Sequence, residues 1–155
     1  MLLLRSNFLI FLFIFSQCVL ISSNEIICEL AAFLEDTNES NPHKIDSGQI
    51  KGKIESCDDE NEQKCKQMVE LEASVGTSGG NFTLSIDDRE GYTVGDILCD
   101  KADHIEENVR NKIVRIYYKF CASEWKKSDF KMPEPLCCED GLYVPCKNFY
   151  HDHSL

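Results

Sequence analysis

Nine cysteines and four histidines are the side chains of this sequence most able to do chemistry. Eight of the cysteines, Cys28, Cys57, Cys65, Cys99, Cys121, Cys137, Cys138 and Cys146, lie in the body of the chain. A structural metal site would use Cys-x-x-Cys pairs, and no such pair occurs. An even set of thiols in a secreted chain instead reads as a disulfide framework of up to four bridges, whose pairing spacing alone leaves open. His43 and His104 stand apart from the thiols, and His104 sits in a polar, exposed stretch. His151-Asp152-His153 has two imidazoles close together, but a polar tail lacks the outer shell of partners that holds a metal. No metal or cofactor is expected.

Other arrangements fail on pattern. Asp58, Asp59, Glu60 and Glu62 are dense in carboxylate, but they lack the spacing and the turn glycine of a calcium loop. They read as a solvated loop. Gly76-Thr-Ser-Gly-Gly80 has no Lys-Ser/Thr after it to cradle a phosphate. Cys137-Cys138-Glu139-Asp140 departs from the Cys-Cys-x-x-His-Asp pattern of secreted phospholipases. With no nucleophile beside a base, the chain is expected to be non-enzymatic. Binding chemistry is better supplied. Arg115, Tyr117 and Lys119 alternate onto one side of an extended segment, with Trp125 and Tyr143 as further aromatics that could join them. Exposed aromatics beside charges anchor partners. Asn38-Glu-Ser40 and Asn81-Phe-Thr83 are glycosylation sequons.

The element that must position these groups is Lys112–Cys121. Val114, Ile116, Tyr118 and Phe120 share one parity, and Ile113, Arg115, Tyr117, Lys119 and Cys121 the other. Alternation with β-branched and aromatic residues predicts a strand over 113–121, although Ile105, Val109, Ile113 and Ile116 also fit a helical spacing. Met68–Val75 alternates in the same way and predicts a second strand, Asn81–Ile86 a third and Gln49–Ser56 a fourth. Tyr92–Cys99 reads as a short strand or loop, and Lys101–Asn111 as one or two helical turns. Glu25–Asp36, with Ile26, Ile27, Leu30, Ala31, Phe33 and Leu34, predicts a short amphipathic helix. Pro133 and Pro135 hold 130–135 extended.

Met1–Ser23 carries Arg5, an apolar run over Phe8–Phe15 and small residues after it, the pattern of a secretory signal peptide. Cleavage after Cys18, Ser22 or Ser23 would remove Cys18 and leave roughly 130 residues, one modest domain. The formal net charge of −11 becomes −12 without Arg5. Such acidity argues against nucleic acid and anionic membrane surfaces. No second apolar run is long enough for a membrane span, so no integral membrane association is expected. Lys126, Lys127 and Lys131 read as scattered among Asp129 and Glu134, so a small local basic patch stays open but none is visible.

Parity adds one condition. Cys57 lies opposite to Ile50 and Ile54, and Cys121 opposite to Ile116 and Phe120. If those strands are neighbours, both sulfurs leave the sheet on its non-core side, within bridging range. Ile50-Lys-Gly-Lys-Ile54…Cys57, Val69-Glu-Leu71, Gly80-Asn-Phe-Thr-Leu84 and Ile116-Tyr-Tyr-Lys-Phe-Cys121 resemble the nematode transthyretin-like family over about half of the expected mature chain. Tyr118 replaces the family's usual His, and six cysteines exceed its usual number. The resemblance implies a Cys57–Cys121 bridge and an extracellular binding function. The expectation is therefore an all-β fold with a short helix or two, a transthyretin-like β-sandwich stapled by disulfides. Its parts would be a signal peptide over 1–23, a helical segment and loop over 24–47, and the sandwich over 48–155 with a cysteine-rich C-terminal extension. It would bind an extracellular protein or lipid-like ligand. The alternative is a small cysteine-framed secreted inhibitor or host-directed effector with an unrelated β fold.

Overall fold

The computed structural model describes residues 28–36, 41–50, 56–87 and 90–146. The expected signal peptide, the Asn38 sequon and the His151–His153 tail lie outside these residues. The described chain runs β1 (Cys28–Glu35), β2 (His43–Ile50), α1 (Asp59–Gly76), α2 (Val94–Asp103), β3 (Ile113–Phe120), β4 (Lys126–Lys131), β5 (Cys138–Glu139) and β6 (Leu142–Tyr143). The first four strands form one antiparallel sheet in the order β2-β1-β3-β4, and β5 and β6 form a separate hairpin. Among the described residues the fold is thus β-rich with two helices and four disulfides.

The central segment over 113–120 is a strand, with Val114, Ile116, Tyr118 and Phe120 all buried on one face. Its neighbour corrects the sequence reading: 28–35 is strand, not helix. β1 lies between β2 and β3 in the sheet, and its residues are buried on both faces: Ala32 and Leu34 in the core, Ala31 and Phe33 against Tyr117 and Trp125. A strand apolar on both faces loses its period of two, and the run then imitates helical spacing.

The opposite error occurs at 68–75, which is the second half of α1 and not a strand. Cys65, Val69 and Ala73 form the buried stripe at intervals of four. Leu71 and Val75 form another stripe, 65% and 70% exposed. Interleaved, the two stripes give an apparent alternation. The acidic run read as a loop is the helix start. Asp58 is the N-cap, its side chain accepting from the Asn61 N–H at 2.9 Å, and Asp59, Glu60 and Glu62 fill the first turn. Both features suit the unpaired N–H groups and positive end of a helix dipole.

The Tyr92–Cys99 region is likewise mostly helical. Thr93 and Asp96 form a capping box that starts α2. Gly95 is required by packing: a Cβ there would lie 2.6 Å from Cγ of Tyr143. Asp96 also accepts from the Tyr143 N–H at 3.0 Å, which ties α2 to the hairpin. Asn81–Ile86 makes turns and a single bridge from Ser85 to Thr93 rather than a full strand.

The core lies between one face of the sheet and the helices. Leu34, Val114, Ile116 and Phe120 pack with Val69 and Ala73 of α1, Ala102 of α2, and Phe82, Val109 and Leu136 from the connections. A helix therefore covers the face on which a sandwich would need a second sheet. Tyr118 and Lys126 both donate to Glu62, at 3.0 and 2.7 Å, and Lys66 pairs with Asp129 at 2.6 Å, fastening α1 over β3 and β4.

The bridges join layers. Cys28–Cys65 links β1 to α1, Cys57–Cys121 the entry of α1 to the end of β3, and Cys99–Cys138 α2 to β5. Cys137–Cys146 closes the loop around the hairpin. The Cys57–Cys121 pair is the one the resemblance implies, but it does not arise from two neighbouring strands. β2 pairs with β1 and is separated from β3 by it. Cys57 precedes α1, and Cys121 follows β3 in a left-handed conformation with φ 53°.

Candidate functional site

The second face of the sheet carries the groups that the sequence singles out. Odd positions of β1 meet odd positions of β3: Glu29 faces Lys119, Ala31 faces Tyr117, Phe33 faces Arg115 and Glu35 faces Ile113. β4 places Lys127 across from Tyr117 and Lys131 across from Arg115. β2 places Lys44 across from Phe33. Directly opposed residues share a face, so four strands contribute to one surface.

Its centre is apolar and aromatic. Phe33 and Tyr117 are buried with ring centroids 4.2 Å apart, and Trp125 packs edge-on to Phe33 at 5.9 Å. Cations frame the rings. Lys44 and Lys119 lie 5.5 and 5.9 Å from the Trp125 ring centroid, and Lys127 lies 5.9 Å from that of Tyr117. Such contacts are each worth about 0.5–1 kcal/mol at exposed sites. They also hold flexible lysines near one another.

Glu35 organises one end of the surface. Its carboxylate accepts from Arg115 Nε at 2.9 Å, from the Tyr117 hydroxyl at 2.8 Å and from Lys127 Nζ at 2.9 Å. Burial pushes its pKa up, and the donors Lys127, Arg115 and Tyr117 outweigh that and hold it at about 2. Burial, and then the bond to Glu35, push the Tyr117 hydroxyl above its usual range. A general base or nucleophile works best with a pKa near the operating pH. Glu35 and Tyr117 are moved away from neutrality in opposite senses. The three bonds to Glu35 hold Arg115, Tyr117 and Lys127 in place around it.

Arg115, Tyr117, Lys119 and Trp125 are thus brought onto one face. Tyr143 is not: it packs against Phe82 beside the hairpin, with ring centroids 5.2 Å apart. The sequence reading of no visible basic patch is corrected. Lys44, Arg115, Lys119, Lys127 and Lys131 gather on a face whose paired strand positions carry Glu29 and Glu35 as carboxylates. Phe33 and Glu35 were missed because β1 looked helical, and Lys44 because the start of β2 read as loop. The sequence signal that could have found Lys127 and Lys131 is their spacing of four, which shares a strand face when no bulge intervenes. The observed bulge in β3–β4 adjusts that register.

His43 and His104 are exposed, and among the described residues no group of three or more His, Cys, Asp or Glu is placed to hold a metal ion. Asn81 is exposed in a turn. No described helix is long and apolar enough to cross a membrane. Compared with known proteins, the chain matches no family model, no curated protein and no solved structure.

Proposed function

We propose that this chain is a secreted, non-enzymatic binding domain that takes an acidic protein segment onto the open face of its sheet. The observation that carries the reading is the charge of that face. At its paired strand positions, five cations and two carboxylates surround an aromatic centre in a chain whose formal charge is −11. Charge complementarity of this kind steers encounter and sets specificity. The surface is broad and charged, which suits a protein segment better than an acyl chain. Four disulfides support an extracellular setting. The transthyretin-like resemblance supports the extracellular binding class; the sandwich architecture is not needed for it, because β1 and β3 alone build the centre of the surface.

Trp125 is the single tryptophan and stands within the surface, so its fluorescence reports occupancy. The secreted full chain is titrated with a glutamate-rich peptide and with a lysine-rich peptide of equal length. The acidic peptide is expected to bind, with affinity falling as salt rises. Lys44→Glu with Lys131→Glu, both exposed, should weaken binding by at least about tenfold. Lys64→Glu with Lys101→Glu makes the same change in net charge on the helices and should not. Equal binding of both peptides, or equal loss from both pairs of substitutions, refutes the reading.

A further inference from the structure

The turn after α1 and the segment before the hairpin leave a cleft of about 230 Å³. Its wall includes Asn81, Phe82, Thr83, Pro133, Glu134 and Tyr143. Two of these, Asn81 and Thr83, are the acceptor and hydroxyl residues of an N-glycosylation sequon. Both are exposed. Asn81 Oδ1 accepts from the Thr83 N–H at 2.9 Å and from the Thr83 hydroxyl at 2.8 Å, which directs the amide nitrogen Nδ2 away from those bonds. Both sequon residues thus stand in the cleft wall, and one side of it is aromatic: Phe82 and Tyr143 lie 5.2 Å apart.

We infer that Asn81 carries an N-linked glycan and that the cleft seats its first sugar. In the joining step, Nδ2 of Asn81 forms a bond to C1 of an oligosaccharide supplied as a lipid-linked diphosphate. The C1–O bond to the phosphate breaks, the lipid diphosphate leaves with the electron pair, and Nδ2 gives up one proton. No oxidation or reduction occurs. The occupant is a covalently tethered sugar, whose apolar ring face suits Tyr143 and Pro133 and whose hydroxyls suit Glu134 and the turn backbone. Tethering places it at high effective concentration, so a shallow cleft is sufficient.

The full chain is expressed in a eukaryotic secretory host and collected from the medium. Peptide mass spectrometry is expected to find a glycan on Asn81. Asn81→Gln and Thr83→Ala should abolish it, and Thr83→Ser should keep it. An unmodified Asn81 in the secreted protein overturns the inference. The seat is tested on the glycoprotein by enzymatic trimming. An endoglycosidase that leaves one sugar on Asn81 should keep the Tm of the intact glycoprotein. Complete removal by an amidase, which leaves Asp at position 81, should lower it by roughly 4 °C, and the never-glycosylated Asn81→Gln protein should melt with it. If the one-sugar form melts with the fully deglycosylated form, the sugar has no seat in the cleft.

Discussion

Replacing Glu35 by Gln removes the charge on which three donors converge and preserves the shape of the side chain. The magnitude follows from proton linkage. An ordinary Glu titrates near 4.5 and this one at about 2. One unit is worth about 1.4 kcal/mol, so the gap corresponds to roughly 3 kcal/mol of stability at neutral pH. Glu35 is 13% exposed but Lys127 is 62% exposed, and solvent screening of that partner brings the expected loss to about 2 kcal/mol. The sign is fixed by the direction of the shift. A folded-state pKa below the unfolded value contributes stability that is complete above 4.5 and fades as pH falls toward 2. Below that, wild type carries a neutral acid and resembles the Gln variant. Urea unfolding with the disulfides intact, followed by circular dichroism at pH 7, 4 and 2, reads the difference between the two proteins. It should be about 2 kcal/mol at pH 7, smaller at pH 4 and close to zero at pH 2. A difference that stays constant across this range would show that Glu35 acts through packing alone, and the charge argument would fail.

Two further outcomes test the scaffold. Joint replacement of Cys57 and Cys121 by Ala opens a loop of 64 residues and should lower stability by about 4 kcal/mol in the chain-entropy model. Calorimetry on the secreted variant measures it, and an unchanged Tm would mean that the unfolded chain is not constrained by this bridge. Gly95→Ala should destabilise the protein although alanine is the better helix former by about 1 kcal/mol, because its Cβ would meet Tyr143 at 2.6 Å. Placed in a Tyr143→Ala background, the same substitution should become neutral or stabilising. A double-mutant cycle in urea that shows no coupling removes the contact as the reason for glycine.

What the sequence disclosed depended on how local each signal was. β3 was legible because its alternation of Val114, Ile116, Tyr118 and Phe120 with polar neighbours lies within one short run. It carried Arg115, Tyr117 and Lys119 with it, which is why this part of the site could be named in advance. β1 was not legible because its burial on both faces is a property of the assembled sheet. α1 was obscured by Leu71 and Val75, which alternate with the buried stripe but face solvent. Its capping signal at Asp58 and the acidic first turn were present, as was the Thr93–Asp96 box of α2. Those short-range polar patterns were better guides here than apolar alternation.

The remaining part of the site, its charge, follows from sheet geometry rather than composition. α1 carries Asp59, Glu60, Glu62, Glu70 and Glu72 against Lys64 and Lys66, and it lies over the core face. The opposite face holds five cations and two carboxylates at its paired strand positions. The net charge of −11 is therefore an average over two unlike sides. At physiological salt, charges are screened over about 8 Å, which is less than the thickness of a helix packed on a sheet. A partner docked there as proposed would meet mainly that face. Glu35 occupies Arg115 and Lys127, and Glu29 lies 3.7 Å from Lys119. Pairing of this kind leaves a positive excess while locking the cations in place, so their ordering cost is met in the free protein and not at binding.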